Sequence, residues 1–192
     1  MSDTLGYERN ALRDLGIDED DLSSSEKAEL SACASEIIEI LRPRFEQKSF
    51  DIDKKDGRVI IKGCDYQLPG TKVFQHFYYC DRIIIFVATL GAEVDSMIST
   101  LEKTDISRSV IMDSIANSAL EAFCDSIESQ LSEVYTNAFT SRIAPGDGDI
   151  PYELQTDLMA LLDAQRKIGI TYDEEHNIFT PHKSKIEMIG LK

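Results

Sequence analysis

The sequence predicts an α+β fold: a largely antiparallel twisted sheet flanked by helices, with one long central helix. Three observations lead there. Helical and strand patterns follow one another in mixed order, without the strict alternation that builds a parallel sheet. An Asp-Gly pair sits between two short β-like runs, the signal of a hairpin. One apolar periodicity of helical spacing continues through Ile106, Val110, Ile111, Ile115, Ala119, Phe123, Ile127, Leu131 and Val134.

Taken in order, residues 3–15 read as a short helix ending at Gly16. Ser23, Ser24 and Ser25 supply N-cap candidates for an amphipathic helix over residues 26–41, which Pro43 helps to end. Phe50-Asp-Ile-Asp and Val59-Ile-Ile are β-like, joined through Lys54-Lys-Asp-Gly57. Pro69-Gly70 punctuates the chain before a helix over residues 71–80. Residues 82–88 carry Ile-Ile-Ile-Phe-Val-Ala, a short β-branched run that fits a strand buried on both faces. Thr89-Leu-Gly91 turns this into a helix reaching about Lys103.

The long helix is expected over residues 105–139, buried most completely between Val110 and Phe123, where apolar residues cover most of its circumference. A proline- and glycine-rich loop follows, then a helix over residues 153–164. Short strands at residues 168–172, 178–180 and 185–190 finish the chain. We expect a single domain with an N-terminal helical part, residues 1–45, and an α+β core, residues 46–192.

Composition narrows the function. Hydrophobic residues make up 42% and charged residues 29%, which suits a packed domain. The net charge of −15 speaks against nucleic acid and against an anionic membrane surface, both of which need clustered Lys and Arg. Cys33, Cys64, Cys80 and Cys124 form no C-x-x-C pair and read as reduced thiols of a cytoplasmic protein. There is no signal-peptide pattern at the start and no membrane-length apolar run. His76, His176 and His182 lack metal-ligand spacing, so no metal site is expected, and no serine elbow, P-loop or dinucleotide fingerprint is present.

Three segments are candidates for a pocket. Ala88-Thr-Leu-Gly-Ala-Glu93 is a strand-to-helix turn, where free N–H groups suit an anion and Gly91 permits close approach. Glu121 lies within the most apolar stretch of the long helix, and Asp113 and Asn117 precede it by two turns and one turn on the same face. Arg142-Ile-Ala-Pro-Gly-Asp-Gly-Asp-Ile-Pro151 holds two of the ten glycines and two of the five prolines, so its path is fixed. Its arginine can grip a carboxylate with paired hydrogen bonds. Glu121 and Arg142 together suit a zwitterionic ligand. Each segment also has a plainer reading: ordinary turn chemistry, a solvated polar stripe, and a tight connection.

These segments, with Leu154-Gln, Leu161-Leu-Asp, Ile168-Gly-Ile-Thr and Pro181-His-Lys-Ser184 following in order, resemble the activation domain of vitamin B12-dependent methionine synthase, and more closely its short stand-alone bacterial versions. The resemblance covers roughly residues 60–192, with a weaker echo at the N-terminus. It implies the fold above and a shallow groove for S-adenosylmethionine. It also implies docking on a cobalamin-binding module, where cob(II)alamin is reduced by a flavodoxin-like donor and remethylated. On this resemblance Arg142 clamps the methionine carboxylate and Ala144 and Gly146 offer backbone contacts. Glu121 lies near the cationic end of the ligand, and Asn117 faces the partner. The sequence departs from the family at Asp147, where a tyrosine is usual, at Ile150 for a cysteine and at Asn117 for an aspartate. Lys192 falls short of the family's C-terminal tyrosine.

The expected function is therefore that of a reactivation subunit of cobalamin-dependent methionine synthase, in methionine biosynthesis. It would present S-adenosylmethionine while the partner, methionine synthase or another corrinoid protein, carries the cobalamin. Any enzymatic part would be methyltransfer. The alternative is a docking module for a corrinoid protein that no longer uses S-adenosylmethionine.

Overall fold

The structure is a computed structural model and describes residues 4–64, 66–135 and 138–192. The chain divides into two compact units. The first comprises Met1–Arg44, Thr89–Ser126 and Pro181–Lys183; the second comprises Phe45–Ala88, Ile127–Thr180 and Ser184–Lys192.

The first unit is helical. It contains α1 (Thr4–Leu15), α2 (Ser24–Ile40), α4 (Ala92–Thr104) and the greater part of α5 (Ile106–Val134). The helix expected from residue 3 begins outside the described residues. At the start of α2, Ser23 is a full capping box: its hydroxyl accepts from the Glu26 N–H at 3.3 Å, and the Glu26 carboxylate accepts from the Ser23 N–H at 2.8 Å. Leu30, Cys33, Ala34 and Ile37 form the buried face of α2. Polar bonds fix the helices to one another: Ser31 Oγ donates to Glu8 at 2.9 Å, and Ser114 Oγ donates to the Ala11 carbonyl at 3.1 Å. Arg108 pairs with Glu36.

Two expectations for the long helix need correction. It stops at Val134, short of residue 139; residues 136–137 lie outside the described residues. Phe139 instead bridges Leu191, and the Thr140 N–H donates to the Gly190 carbonyl at 3.0 Å, so pairing with the end of the last strand overrides helical periodicity. The buried face is also narrower than expected. Met112, Ile115, Ala116, Ala119, Leu120 and Cys124 are buried, but Val110 is 49% exposed and Ile106 is 72% exposed.

The second unit holds the sheet. Its strands are β1 (Arg44–Lys55), β2 (Arg58–Ile61), β3 (Tyr66–Leu68), β4 (Arg82–Thr89) and β7 (Ser184–Leu191), in the order β3-β2-β1-β4-β7. β1 and β2 pair in antiparallel register from Ile52↔Ile61 to Lys55↔Arg58, and β2 and β3 from Val59↔Leu68 to Ile61↔Tyr66. The first turn is the predicted one: Asp56 at φ 52° and Gly57 at φ 75° form a two-residue loop with both residues left-handed. The bonds at the strand ends run Arg42 to Leu90 and Ile52 to Asp81, then Leu90 to Lys183 and Asp81 to Leu191. Each pair of bonds descends in one strand as it ascends in the other, so β4 is antiparallel to both neighbours. Every residue of β4 after Arg82 is buried, as its unbroken apolar run requires.

Around the sheet lie α3 (Thr71–His76), shorter than expected, and α6 (Leu154–Leu162) with α7 (Ala164–Ile168). The helix predicted over residues 153–164 is broken at Asp163, which adopts φ 56° and satisfies the end of α6 by donating its N–H to Ala160 and Met159. Ile168, expected in a strand, ends α7 ahead of Gly169. The strand proper is β5 (Thr171–Asp173), paired antiparallel with β6 (Ile178–Thr180). The core of this unit joins Phe50, Ile52, Val59 and Ile61 to Ile83, Ile85, Val87, Leu158, Ile186 and Met188. Gly190 is compulsory here: a Cβ would lie 2.5 Å from Cys80 Sγ and 2.8 Å from the Phe77 ring. Among the described residues no helix is long and apolar enough to cross a membrane.

Candidate functional site

The predicted site residues fall in both units, and each part is described on its own. In the first unit, Asp113, Asn117 and Glu121 recur every fourth residue along α5 and so share a stripe; Asn117 and Glu121 are exposed. Asn117 Nδ2 donates to Asp113 at 3.2 Å. Lys183 completes the group: its Nζ lies 2.7 Å from Asp113 Oδ1 and donates to Asn117 Oδ1 at 2.7 Å. The lysine is held from behind as well, because Asp95 accepts from the N–H groups of His182 at 2.6 Å and Lys183 at 3.4 Å. Pro181-His-Lys-Ser thus serves to carry Lys183 to the polar stripe. The sequence alone gives this lysine no role; three acidic or amide side chains on one helical face are the hint that a cation is wanted.

The Thr89–Gly91 turn is satisfied internally. The Gly91 N–H donates to Thr89 Oγ1 at 3.1 Å. Gly91 sits at φ 96° with Arg42 and the Glu93 carboxylate packed where a Cβ would be, at 3.0 Å each. An acid of the chain's own therefore lies at the start of α4, where an anion was expected.

In the second unit the arginine loop is pinned at several points. Ile143 and Met188 exchange backbone bonds of 3.0 and 2.8 Å, which ties the loop to β7. Ala144 to Asp147 forms a tight turn through Pro145 and Gly146: the Asp147 N–H donates to the Ala144 carbonyl at 3.1 Å, with Gly146 at φ 96°. The Asp147 carboxylate accepts from the Ala144 N–H at 2.9 Å. The Gly146 N–H donates to the Ile150 carbonyl at 2.8 Å. At the far end, Asp149 accepts from the N–H groups of Thr71 at 2.6 Å and Lys72 at 2.9 Å. These bonds hold its carboxyl below the ordinary carboxylate range, the one from Lys72 most strongly.

Arg142 heads this loop and is 17% exposed. Its Nη1 lies 3.3 Å from Glu187 Oε2, an ionic contact without hydrogen-bond geometry, and its Nε lies 3.5 Å from Glu128 Oε2. Lys185 Nζ approaches the other oxygen of Glu187 at 2.9 Å. Tyr152 is a further residue that sequence reasoning missed. Its ring lies against Gly146, 2.5 to 2.8 Å from where a Cβ would stand, with 54% of the residue exposed. An aromatic thus flanks the turn although Asp147 occupies the tyrosine position of the loop. Among the described residues no group of three His, Cys, Asp or Glu is placed to hold a metal ion.

Fold and loop together define an α+β domain built on one long helix and an antiparallel sheet, with an arginine-headed turn fastened to the last strand. Among solved structures it is similar to the MetH reactivation domain bound to AdoHcy, with a TM-score of 0.70 at 15% identity over 96% of this chain and 75% of that one. The likeness is one of fold, and it is the fold expected from the sequence. No family model matches the sequence, and no curated protein matches it significantly.

Proposed function

We propose that the chain is a reactivation module for a cobalamin-dependent methionine synthase or another corrinoid protein, acting in the cytoplasm. The observation that carries this reading is Arg142: a largely covered arginine heads a rigid Pro-Gly turn in a chain with the fold of a domain solved with AdoHcy. S-adenosylmethionine supplies a methyl group to the partner's cobalt, and a flavodoxin-like protein supplies the electron; this chain binds and orients the donor. Arg142 meets the ligand's carboxylate. The N–H groups of Ala144 and Gly146 are used inside the loop, so contacts from these residues run through carbonyl oxygens, that of Ala144 by the lone pair left beside its bond from the Asp147 N–H; such acceptors suit an ammonium or amino group. The Asp113, Asn117 and Lys183 stripe faces the partner.

Thermal unfolding with S-adenosylmethionine, S-adenosylhomocysteine or buffer tests the ligand. At about 100 times Kd, binding adds roughly 2.7 kcal/mol of stability, and Arg142→Ala removes that gain. With a purified corrinoid partner and reductant, the cob(II)alamin absorption is lost only when the methyl donor is present. No stabilisation together with no spectral change would sink the reading.

Asp147 favours a second reading, a docking module without S-adenosylmethionine. Its carboxylate takes the Ala144 N–H and adds a negative charge to the loop. Capture of a purified corrinoid protein that is indifferent to Arg142→Ala and to the methyl donor separates this reading from the first.

A further inference from the structure

We infer that Glu128 is the displaceable counterion of Arg142 and holds the place of an incoming ligand's carboxylate. This rests on the reading of the Arg142 loop as a ligand site. Two cations and two carboxylates of the second unit form a chain: Lys185 to Glu187 at 2.9 Å, Glu187 to Arg142 at 3.3 Å, and Arg142 to Glu128 at 3.5 Å. The two carboxylates differ in burial. The Glu187 side chain is 5% exposed, so it cannot turn to water from its place between Arg142 and Lys185, and it fixes where the guanidinium stands. The Glu128 side chain is 34% exposed, makes the longest contact of the chain, and stands near the C-terminal end of α5, from which it can turn to water.

A partly exposed ion pair of this kind is weak, because solvent screens the attraction and the side chain regains freedom when it is released. A ligand carboxylate taking its place gives Arg142 one negative neighbour in exchange for another. The guanidinium can also meet a better-placed carboxylate with two parallel bonds, which its contact with Glu128 does not provide. Glu128 thereby sets a threshold: only an anion that pairs well with Arg142 displaces it.

The test uses the full chain and isothermal titration with S-adenosylmethionine. Glu128→Ala is expected to bind about two- to five-fold more tightly than the wild type, the size expected for release of a partly exposed ion pair. Glu128→Gln falls between, and Arg142→Ala loses binding. Unchanged or weaker binding in Glu128→Ala overturns the inference and leaves the proposed function standing. If no protein binds the donor, labelling of Arg142 by phenylglyoxal, read by mass spectrometry, decides separately. Faster labelling in Glu128→Ala and Glu128→Gln supports the displaceable counterion while the S-adenosylmethionine reading falls. Equal rates overturn both.

Discussion

Lys183 in the first unit and Arg142 in the second invite comparison. Both are largely covered, at 12% and 17% exposure, and both face two acceptor side chains. They differ in what lies opposite. The partners of Lys183 are one turn apart on a single helix, and Asp113 is 45% exposed, so water replaces the lysine if it goes. The partners of Arg142 come from α5 and β7, and Glu187 is all but closed to water. The lesson concerns the acceptor: a cation of given burial matters to stability in proportion to how poorly its partner can be solvated without it.

That comparison fails or holds on two unfolding experiments. The largest effect is expected from Arg142→Met. It takes the guanidinium away from the Glu187 carboxylate, which is all but closed to water, at a cost of about 3 kcal/mol in urea unfolding. Lys183→Met keeps the aliphatic stem and frees an exposed carboxylate and amide, so the loss is smaller, about 1 kcal/mol. Equal losses would show that the burial of the acceptor does not govern the difference.

The same contrast explains what could be read in advance. Asp113, Asn117 and Glu121 are spaced by four along one helix, and local periodicity alone puts them on a common face. A serine N-cap within Ser23–Ser25, the Asp56-Gly57 turn and the buried run of β4 are legible for the same reason, since each is set by residues close in sequence. Lys183, Glu128 and Glu187 are not, because their partners are brought to them by strand and helix placement. The length of α5 was misjudged where Phe139 pairs with Leu191, a contact fifty-two residues apart in the chain that no helical period announces. At Asp147 the sequence shows only a departure from the tyrosine usual in the family; that its carboxylate closes the Ala144 N–H depends on a turn geometry visible only in the fold. Tyr152 went unnoticed because its role depends on the bare Cα of Gly146, which it covers.

The smallest effect sharpens the account of why the Arg142 loop is rigid while the Lys183 stripe is only latched. Helix α3 starts at Gly70, which has φ 100° and supplies no side-chain cap. Asp149, from the loop, provides the missing acceptor for Thr71 and Lys72. Its folded pKa is lowered from the ordinary 3.8, chiefly by the Lys72 N–H and then by that of Thr71. A carboxyl whose pKa falls on folding contributes its full stability above the unfolded value and loses it as the pH drops through the folded value. Wild type and Asp149→Asn should therefore differ in stability at neutral pH and converge as the pH falls below 3.8. Taking the difference between the two proteins cancels the titration of every other carboxylate they share. A gap that stays constant down to acid pH would mean that the neutral acid caps α3 as well as the anion does, and that the charge of Asp149 is not what fastens the loop.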